Sequence, residues 1–217
     1  MRAEGHRRAA PILAGAVVAL VLLTGCRNDA DAAPIPTSDP PSSSQAPATI
    51  EASSTASAAP EPSPASSAGP ATNIPVPVKP ALADENSPEG LEAFTAYWLE
   101  LFSYGYETND WAPFEAVTDP GCRTCTQTQQ VVMDFHASGG WMSGGRFKIL
   151  DFGTEFRTNT SGSIQSLVRY QQDDLIYYES DGNQSQGEAP EASVNITFSI
   201  YEEGAWLLLD FGSPEGT

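Results

Sequence analysis

Apolar residues in the second half of the chain recur first at helical spacing and then at alternate positions. Ser87-Pro88-Glu89 is typical of a helix start, because serine caps the first turn, proline fits the first helical position and an acid favours the positive end of the helix dipole. From Leu91 to Phe102 the apolar residues lie three and four apart. The pattern predicts a first helix that begins at Pro88 and ends near Gly105.

Two more helices are predicted before the period changes. A short one covers Trp111 to Val117, with Asn109 or Asp110 as its cap. The other runs from about Cys122 to Ser138 and stops at Gly139-Gly140. Its spacing predicts three buried side chains, those of Val131, Val132 and Phe135.

After residue 146 the apolar positions alternate, which is typical of strands. The predicted strands are Phe147–Arg157, Ile164–Tyr170 with a possible continuation over Leu175–Glu179, Val194–Ile200 and, after a turn at Gly204, Ala205–Phe211. A shift of parity near Leu150-Asp151 predicts a bulge in the first of them. Helices followed by antiparallel strands predict an α+β domain, with three N-terminal helices packed on a curved sheet of about four strands.

The residues before this domain have a different composition. Of the 18 prolines, 12 lie between Pro34 and Pro80, whereas all 20 aromatic residues lie between Phe94 and Phe211. A chain so poor in large apolar groups cannot offset the entropy of folding, so residues 26–80 are predicted to be a disordered linker and residues 81–217 the folded domain. Ile74 to Val78 is more apolar, and either docks against the domain or is the last extended piece of linker.

The N-terminal residues have the pattern of a secretion signal. A basic start at Arg2, Arg7 and Arg8 precedes an apolar stretch from Ile12 to Leu23, which has the length of a signal peptide and is too short to span a membrane. It ends in Leu23-Thr24-Gly25-Cys26, which resembles the bacterial lipoprotein signal. The resemblance implies removal of residues 1–25 and a diacylglyceryl thioether on Cys26. The alternative is an ordinary secretory signal with a chance cysteine.

Charge and cysteine content narrow the function classes. With 28 acids against 10 bases, the formal charge of −18 argues against binding to nucleic acid, which needs clustered Lys and Arg. Three cysteines are too few for a four-thiolate zinc site. Anionic lipid headgroups repel an acidic domain. The domain is therefore expected to lie at a distance from the membrane to which the lipid on Cys26 would anchor it.

Residues from about Pro80 onward resemble an uncharacterised family of actinobacterial lipoproteins. The marks are the Pro-rich spacer, Ser87-Pro88-Glu89-Gly90-Leu91-Glu92-Ala93-Phe94, Cys122-Arg123-Thr124-Cys125 and Gly204-Ala205-Trp206. The order of helices and strands is similar to the cone-shaped fold of the nuclear transport factor 2-like superfamily. That superfamily hosts both enzymes and binding modules, and the lipoprotein family has no assigned activity, so no catalytic residue is carried over.

Cys122 and Cys125 are the sharpest chemical feature. Outside the cytoplasm, two thiols three residues apart at a helix start favour a disulfide, which is the main prediction. The alternative is a redox pair, since a helix N-terminus and the neighbouring Arg123 lower a thiol pKa, although the βαβ context of thioredoxin-like motifs is missing. Metal binding by this pair is the weakest interpretation, and no metal site is predicted.

Five aromatic residues are candidates for lining a ligand pocket between helices and sheet: Tyr97, Trp98, Trp111, Tyr170 and Trp206. The alternative is that they fill the core. Asp151 or Asp210 would be a catalytic base if it were buried in such a pocket, and otherwise both face water. The loop Gly139 to Gly145 places Trp141 and Met142 either over the mouth of the cone or in contact with a partner.

Two other polar patterns are weaker. His136 is the only histidine after residue 25, and Asp134 does not share its helical face, so a catalytic dyad is not predicted. Asp181 to Ala192 has oxygen ligands at alternate positions, but it lacks the glycine and the final acid of a calcium loop and is interpreted as a polar turn.

Together these patterns predict a lipid-anchored protein of the bacterial cell envelope, facing outwards, with a non-catalytic interaction or ligand-binding domain and no cofactor. Its expected partners are the membrane, through Cys26, and an envelope protein or a small apolar ligand. Two alternatives stay open: an isomerase or dehydratase with a carboxylate base, and a thiol-disulfide protein that uses Cys122 and Cys125.

Overall fold

The computed structural model describes residues 60–187 and 191–214. The predicted signal peptide, Cys26 and the linker as far as residue 59 lie outside the described residues. The α+β class is confirmed, because helices precede two antiparallel sheets. The helices are η1, a 3-10 helix, at Ala81–Asp84, α1 at Pro88–Thr108, α2 at Ala112–Glu115 and α3 at Arg123–Ala137.

The strands form two sheets, whereas the sequence predicted one. They are β1 Trp141–Gly144, β2 Phe147–Thr158, β3 Ile164–Gln172, β4 Leu175–Tyr178, β5 Gln184–Gly187, β6 Ser193–Glu202 and β7 Ala205–Gly212. The four-stranded sheet has the order β2-β3-β6-β7, and the three-stranded sheet has the order β1-β4-β5. The predicted bulge is present, because the register of β2 against β3 shifts between Ile149 and Asp151.

Helix α1 begins as predicted and ends one turn later. The Ser87 hydroxyl accepts a hydrogen bond from the Gly90 amide at 3.0 Å. Gly105 does not end the helix, because Asn109 takes the left-handed conformation (φ 59°) that closes it. The glycine at 105 serves packing instead, since a Cβ there would lie 2.6 Å from the ring of Trp111.

Three predictions about α3 and the region after it were wrong. Val131 is 69% exposed, while the next residue, Val132, is 2% exposed. Helix α3 is therefore less covered than its spacing suggested. Leu175 to Tyr178 does not extend β3, and the predicted loop at Trp141 forms strand β1, which pairs with β4. Together with β5, which no sequence pattern predicted, these strands form the second sheet.

Residues 60–80 precede η1. Ser63 and Thr72 form an antiparallel bridge, and the Ser66 carbonyl accepts a hydrogen bond from the indole Nε1 of Trp141 at 2.8 Å. Ile74 to Val78 borders a groove of about 600 Å³ whose other wall includes Glu100 and Tyr104 of α1. Val76 and Val78 are 43% and 85% exposed, so docking of this segment against the domain stays a prediction.

Gly90 marks the tightest contact of α1 with the preceding chain. A Cβ at this position would overlap the carbonyl oxygen of Glu85 and lie 3.0 Å from that of Leu82. Gly90→Ala is therefore expected to lower the free energy of unfolding by about 1–3 kcal/mol, measured by denaturant unfolding. The matched control is Gly153→Ala on β2, where a Cβ meets nothing within 4 Å. Equal effects at the two positions would contradict this account of Gly90.

Candidate interaction surface

The predicted pocket aromatics lie in or beside the core. Trp98, Trp111 and Trp206 are at most 4% exposed, and Tyr97 and Tyr170 are half-buried. Tyr170 packs against the ring of Phe211 at 5.7 Å between centroids. This arrangement matches the core-filling alternative, and a ligand would reach the three indoles only if the core opened. A pocket lined by these five residues stays a prediction.

Trp98 is the centre of the core. Its ring lies 5.3, 5.2 and 5.0 Å from those of Phe102, Phe114 and Phe211, so it joins α1 to α2 and to β7. Its Nε1 donates a hydrogen bond of 2.8 Å to the Thr118 hydroxyl, which donates in turn to the Phe114 carbonyl. The buried indole N–H therefore has a hydrogen-bond acceptor.

The cysteine pair is buried. Cys122 and Cys125 lie at disulfide-bonding distance and are 0% and 1% exposed. Cys122 is also the N-cap of α3, with its sulfur 3.3 Å from the Cys125 amide. Thiol-disulfide exchange needs direct attack on a sulfur, so burial of both counts against the redox alternative. The pair holds the start of α3 beside the core.

The remaining polar candidates are separate from one another. Asp151 and Asp210 are both exposed, so the enzyme alternative has no buried base at either position. Asp134 accepts a hydrogen bond from Gln130, whereas the His136 ring lies 3.4 Å from the Tyr106 carbonyl. Burial lowers the pKa of His136 and raises that of Tyr106 to about 12.

The predicted polar turn at Asp181 and the predicted loop at Trp141 are both part of the three-stranded sheet. Asp181 accepts hydrogen bonds from the backbone and side chain of Asn183, which closes a hairpin between β4 and β5. Trp141 stacks on Tyr178 with centroids 5.4 Å apart, and Met142 is 2% exposed. Among the described residues no three His, Cys, Asp or Glu side chains are grouped in a way that suits a metal ion.

Strand β6 faces the opposite way from what its hydrophobicity suggests. The polar residues Asn195, Thr197 and Ser199 point into the core, with exposures of 7%, 0% and 0%. The alternating apolar residues between them point outwards: Val194 is 43% exposed, and Ile196, Phe198 and Ile200 are half-buried. Cross-strand pairing decides this, because Thr197 lies opposite the buried Phe211 of β7.

Three inward hydroxyls have no hydrogen-bond partner: those of Ser166, Thr197 and Ser199. Ser166 and Thr197 are direct cross-strand neighbours on β3 and β6. Small side chains at the middle of the sheet leave room for the rings of α1 and β7. An unpartnered buried hydroxyl costs about 1–3 kcal/mol, so this arrangement lowers stability.

The opposite side of the four-stranded sheet is an apolar surface, called the outer sheet face. It consists of Leu167, Val194, Ile196, Phe198, Ile200 and Leu207. Leu167 and Val194 are 47% and 43% exposed. Beside this row, the bare backbone at Gly153 and the neighbouring Glu155, Arg157, Gln165 and Leu167 line a hollow of about 560 Å³. A ridge and a hollow therefore lie next to each other on one face.

A second hollow, of about 280 Å³, lies beside the disulfide. Its walls include Phe114, Glu115, Asp119, Cys125 and Gln129. The Glu115 carboxylate accepts a hydrogen bond from the Gln129 amide, which joins α2 to α3 across the hollow. Within residues 60–187 and 191–214, no helix has the length and apolar character needed to cross a membrane.

Comparison with known proteins identifies a family but no function. A search of curated protein sequences finds no significant match. The intermembrane space region of the chloroplast protein ARC6 is similar at a TM-score of 0.40 and 9% identity, covering 58% of this chain and 95% of that one. An uncharacterised protein with a cystatin-like fold from Caulobacter vibrioides is similar at 0.33 and 17%, covering 57% and 87%. At these TM-scores neither similarity defines the fold or the function.

A family model covers most of the described residues, including the segment before η1. It matches residues 60–211 and so includes the disulfide, both sheets and the whole outer sheet face. Its description is a family of unknown function, which assigns no activity to any of these features. On this match, the chain belongs to the DUF6318 family.

Proposed function

We propose that this protein is a lipid-anchored component of the bacterial cell envelope whose folded domain is a non-catalytic interaction module. The outer sheet face carries the proposal, because a row of large apolar side chains on the solvent side of a sheet is typical of a binding surface. The core, in contrast, is filled by aromatic rings and offers no comparable site.

The anchor and the compartment rest on the sequence and on the cysteines. Residues 1–25 have the form of a lipoprotein signal peptide and Cys26 the position of the lipidated residue, as in the actinobacterial lipoproteins that the chain resembles. A buried cysteine pair at bonding distance is compatible with an oxidising compartment. Two or more acyl chains on Cys26 would hold the protein durably on the membrane, facing outwards.

We further propose the cone-like arrangement of nuclear transport factor 2-like proteins, with three N-terminal helices on a curved sheet. Ring contacts across the core support it: Phe94 of α1 packs on Trp206 of β7, and Phe102 of α1 packs on Phe147 of β2. In this arrangement the helices occupy one side of the four-stranded sheet and the outer sheet face is left for a partner.

The anchor is tested with the full chain expressed in a bacterium. We expect the mature protein to carry the mass of a diacylglyceryl group on Cys26 and to enter the detergent phase in phase partition. Cys26→Ala is expected to abolish both. The matched control removes the other two cysteines, Cys122 and Cys125, and should keep the lipid. An unmodified Cys26, or membrane retention of Cys26→Ala, would overturn the anchored function.

A further inference from the structure

We infer that the stretch from Ile74 to Pro80, called the proline segment, is a separate interaction site whose partner is an aromatic-lined groove on another protein. The inference goes beyond the proposed function, because this site does not use the outer sheet face. The conformation of the segment determines the class of partner, since aromatic-lined grooves bind polyproline II helices.

The first step is the conformation of the proline segment. Its three prolines hold φ at about −65°, and each restricts the residue before it to the extended region. Pro80 has φ −63° and ψ 143°, which are the angles of a polyproline II helix. Ile74 and Pro77 are half-buried and lie three residues apart, which is one turn of such a helix.

The backbone and apolar side chains of the proline segment are unpaired. Within residues 60–187 and 191–214, no backbone N–H or carbonyl from Ile74 to Lys79 has a hydrogen-bond partner. Val76 and Val78 are 43% and 85% exposed. The last four residues have the Pro-x-x-Pro spacing of known polyproline II ligands. Such a segment offers carbonyl acceptors to an indole N–H and apolar surface to an aromatic ring.

Both ends of the proline segment are fixed. Before it, Ser63 and Thr72 exchange backbone hydrogen bonds of 2.8 and 2.9 Å. After it, the Pro80 carbonyl accepts a hydrogen bond of 3.0 Å from the Ala83 amide at η1. A segment held in this way loses little entropy when a partner binds it. The family match begins at residue 60, so the proline segment belongs to the part of the chain that the family shares.

The groove beside the proline segment has room for a side chain of the partner. Its volume is about 600 Å³, and Glu100, Tyr104 and Glu107 of α1 lie along its other wall. Glu107 pairs with Arg146 at 3.1 Å, whereas Glu100 has no ion pair with any described residue. A free carboxylate at this position favours a partner whose aromatic groove is bordered by a Lys or Arg.

This site is separate from the outer sheet face. Glu100 and Glu107 follow Trp98 by two and nine residues, which at about 100° per residue places them on the opposite side of α1. Trp98 points towards the four-stranded sheet, where its ring lies 5.0 Å from that of Phe211. A partner at the proline segment therefore leaves the outer sheet face free, and each site can be tested without the other.

The test uses the full chain with its own signal sequence, in intact cells. Leu82→Cys places a thiol just after the proline segment, and Met133→Cys places one on α3. The two side chains are 43% and 39% exposed, so the variants are matched in accessibility. A maleimide that carries a benzophenone labels the new thiol, because Cys122 and Cys125 are buried. Light then joins the label to the neighbouring molecule.

We expect an adduct with another protein from Leu82→Cys and none above background from Met133→Cys. A synthetic heptapeptide with the sequence of residues 74–80 should suppress the adduct, and the same peptide with its three prolines replaced by glycine should not. Mass spectrometry of the adduct should place the label beside a surface Trp or Tyr of the partner.

The conformation is tested in the chain itself. Pro75→Gly together with Pro77→Gly frees the backbone of the proline segment, so the adduct from Leu82→Cys should fall about tenfold. The matched control is Pro40→Gly together with Pro41→Gly in the linker, which should leave the adduct unchanged.

Three results would overturn the inference. One is an adduct from Leu82→Cys no stronger than that from Met133→Cys. Another is equal suppression by the two peptides, which would mean that the contact does not depend on polyproline II. The third is an adduct with lipid or with a second copy of this chain. None of these results concerns the outer sheet face or the lipid on Cys26, so the proposed function would stand.

Discussion

Replacing Trp98 with alanine is expected to lower the free energy of unfolding by about 3–5 kcal/mol. The indole is fully buried and packs against three aromatic rings, from α1, α2 and β7, so its removal leaves a cavity that no single neighbour can fill. A domain of this size has a total stability of about 5–15 kcal/mol, so the variant should be partly unfolded or close to it. Denaturant unfolding followed by circular dichroism measures the effect.

Trp98→Phe is the control for this variant. It keeps most of the ring contacts and loses the hydrogen bond from Nε1 to Thr118, whose hydroxyl still donates to the Phe114 carbonyl. We therefore expect a loss clearly smaller than that of Trp98→Ala, about 1–2 kcal/mol. An equal loss of unfolding free energy in Trp98→Ala and Trp98→Phe would mean that the indole does not hold the surrounding rings together. The space around Trp98 would then be open enough to reconsider the predicted ligand pocket.

The helices show how far local signals reach. Ser87 and Pro88 predicted the start of α1 correctly, because a cap and a first-turn proline act within one turn of helix. The prediction that the helix ends near Gly105 was wrong, because the missing side chain leaves room for the ring of Trp111 and does not mark a helix end. The predicted burial of Val131 was also wrong. Helical spacing shows which residues share a face, but not how much of that face another element covers.

The sheets depend on contacts that the local pattern does not contain. Strand β4 follows β3 after only two residues, and its pairing with β1 and β5 assigns it to a separate sheet. The outer sheet face was missed for a similar reason. Val194 to Ile200 alternates strictly, and a period of two leaves both faces possible. The one available signal was Phe211 on β7, a large ring whose direct cross-strand neighbour on the buried side is the small Thr197.

The disulfide and the outer sheet face have different places in the proposed function. Cys122 and Cys125 lie at the start of α3, away from the outer sheet face, and both sulfurs are buried. The outer sheet face is formed by β3, β6 and β7, which the core rings support from behind. A binding surface on a packed sheet needs no rearrangement to receive a partner, which keeps the entropic cost of association low.

Two threonines are expected to respond in opposite directions to the same substitution. Thr118→Val removes the acceptor for the indole of Trp98 and should lower the free energy of unfolding by about 1–3 kcal/mol. Thr197→Val removes a buried hydroxyl without a partner and replaces it with a methyl group of similar size, so it should raise that free energy by about 1–3 kcal/mol. The two variants should therefore differ by about 2–6 kcal/mol in denaturant unfolding.

Both threonines are buried, at 7% and 0% exposure, and both lose the same hydroxyl, so each variant is the control for the other. The contrast isolates the hydrogen bond, because the change in volume and in apolar area is the same. A loss of stability in Thr197→Val would mean that its hydroxyl is satisfied in solution, and β6 would then have a reason for its orientation other than a covered outer face. A gain would show that the fold tolerates a costly polar row on the inner side of β6, which is what coverage of its apolar outer side explains.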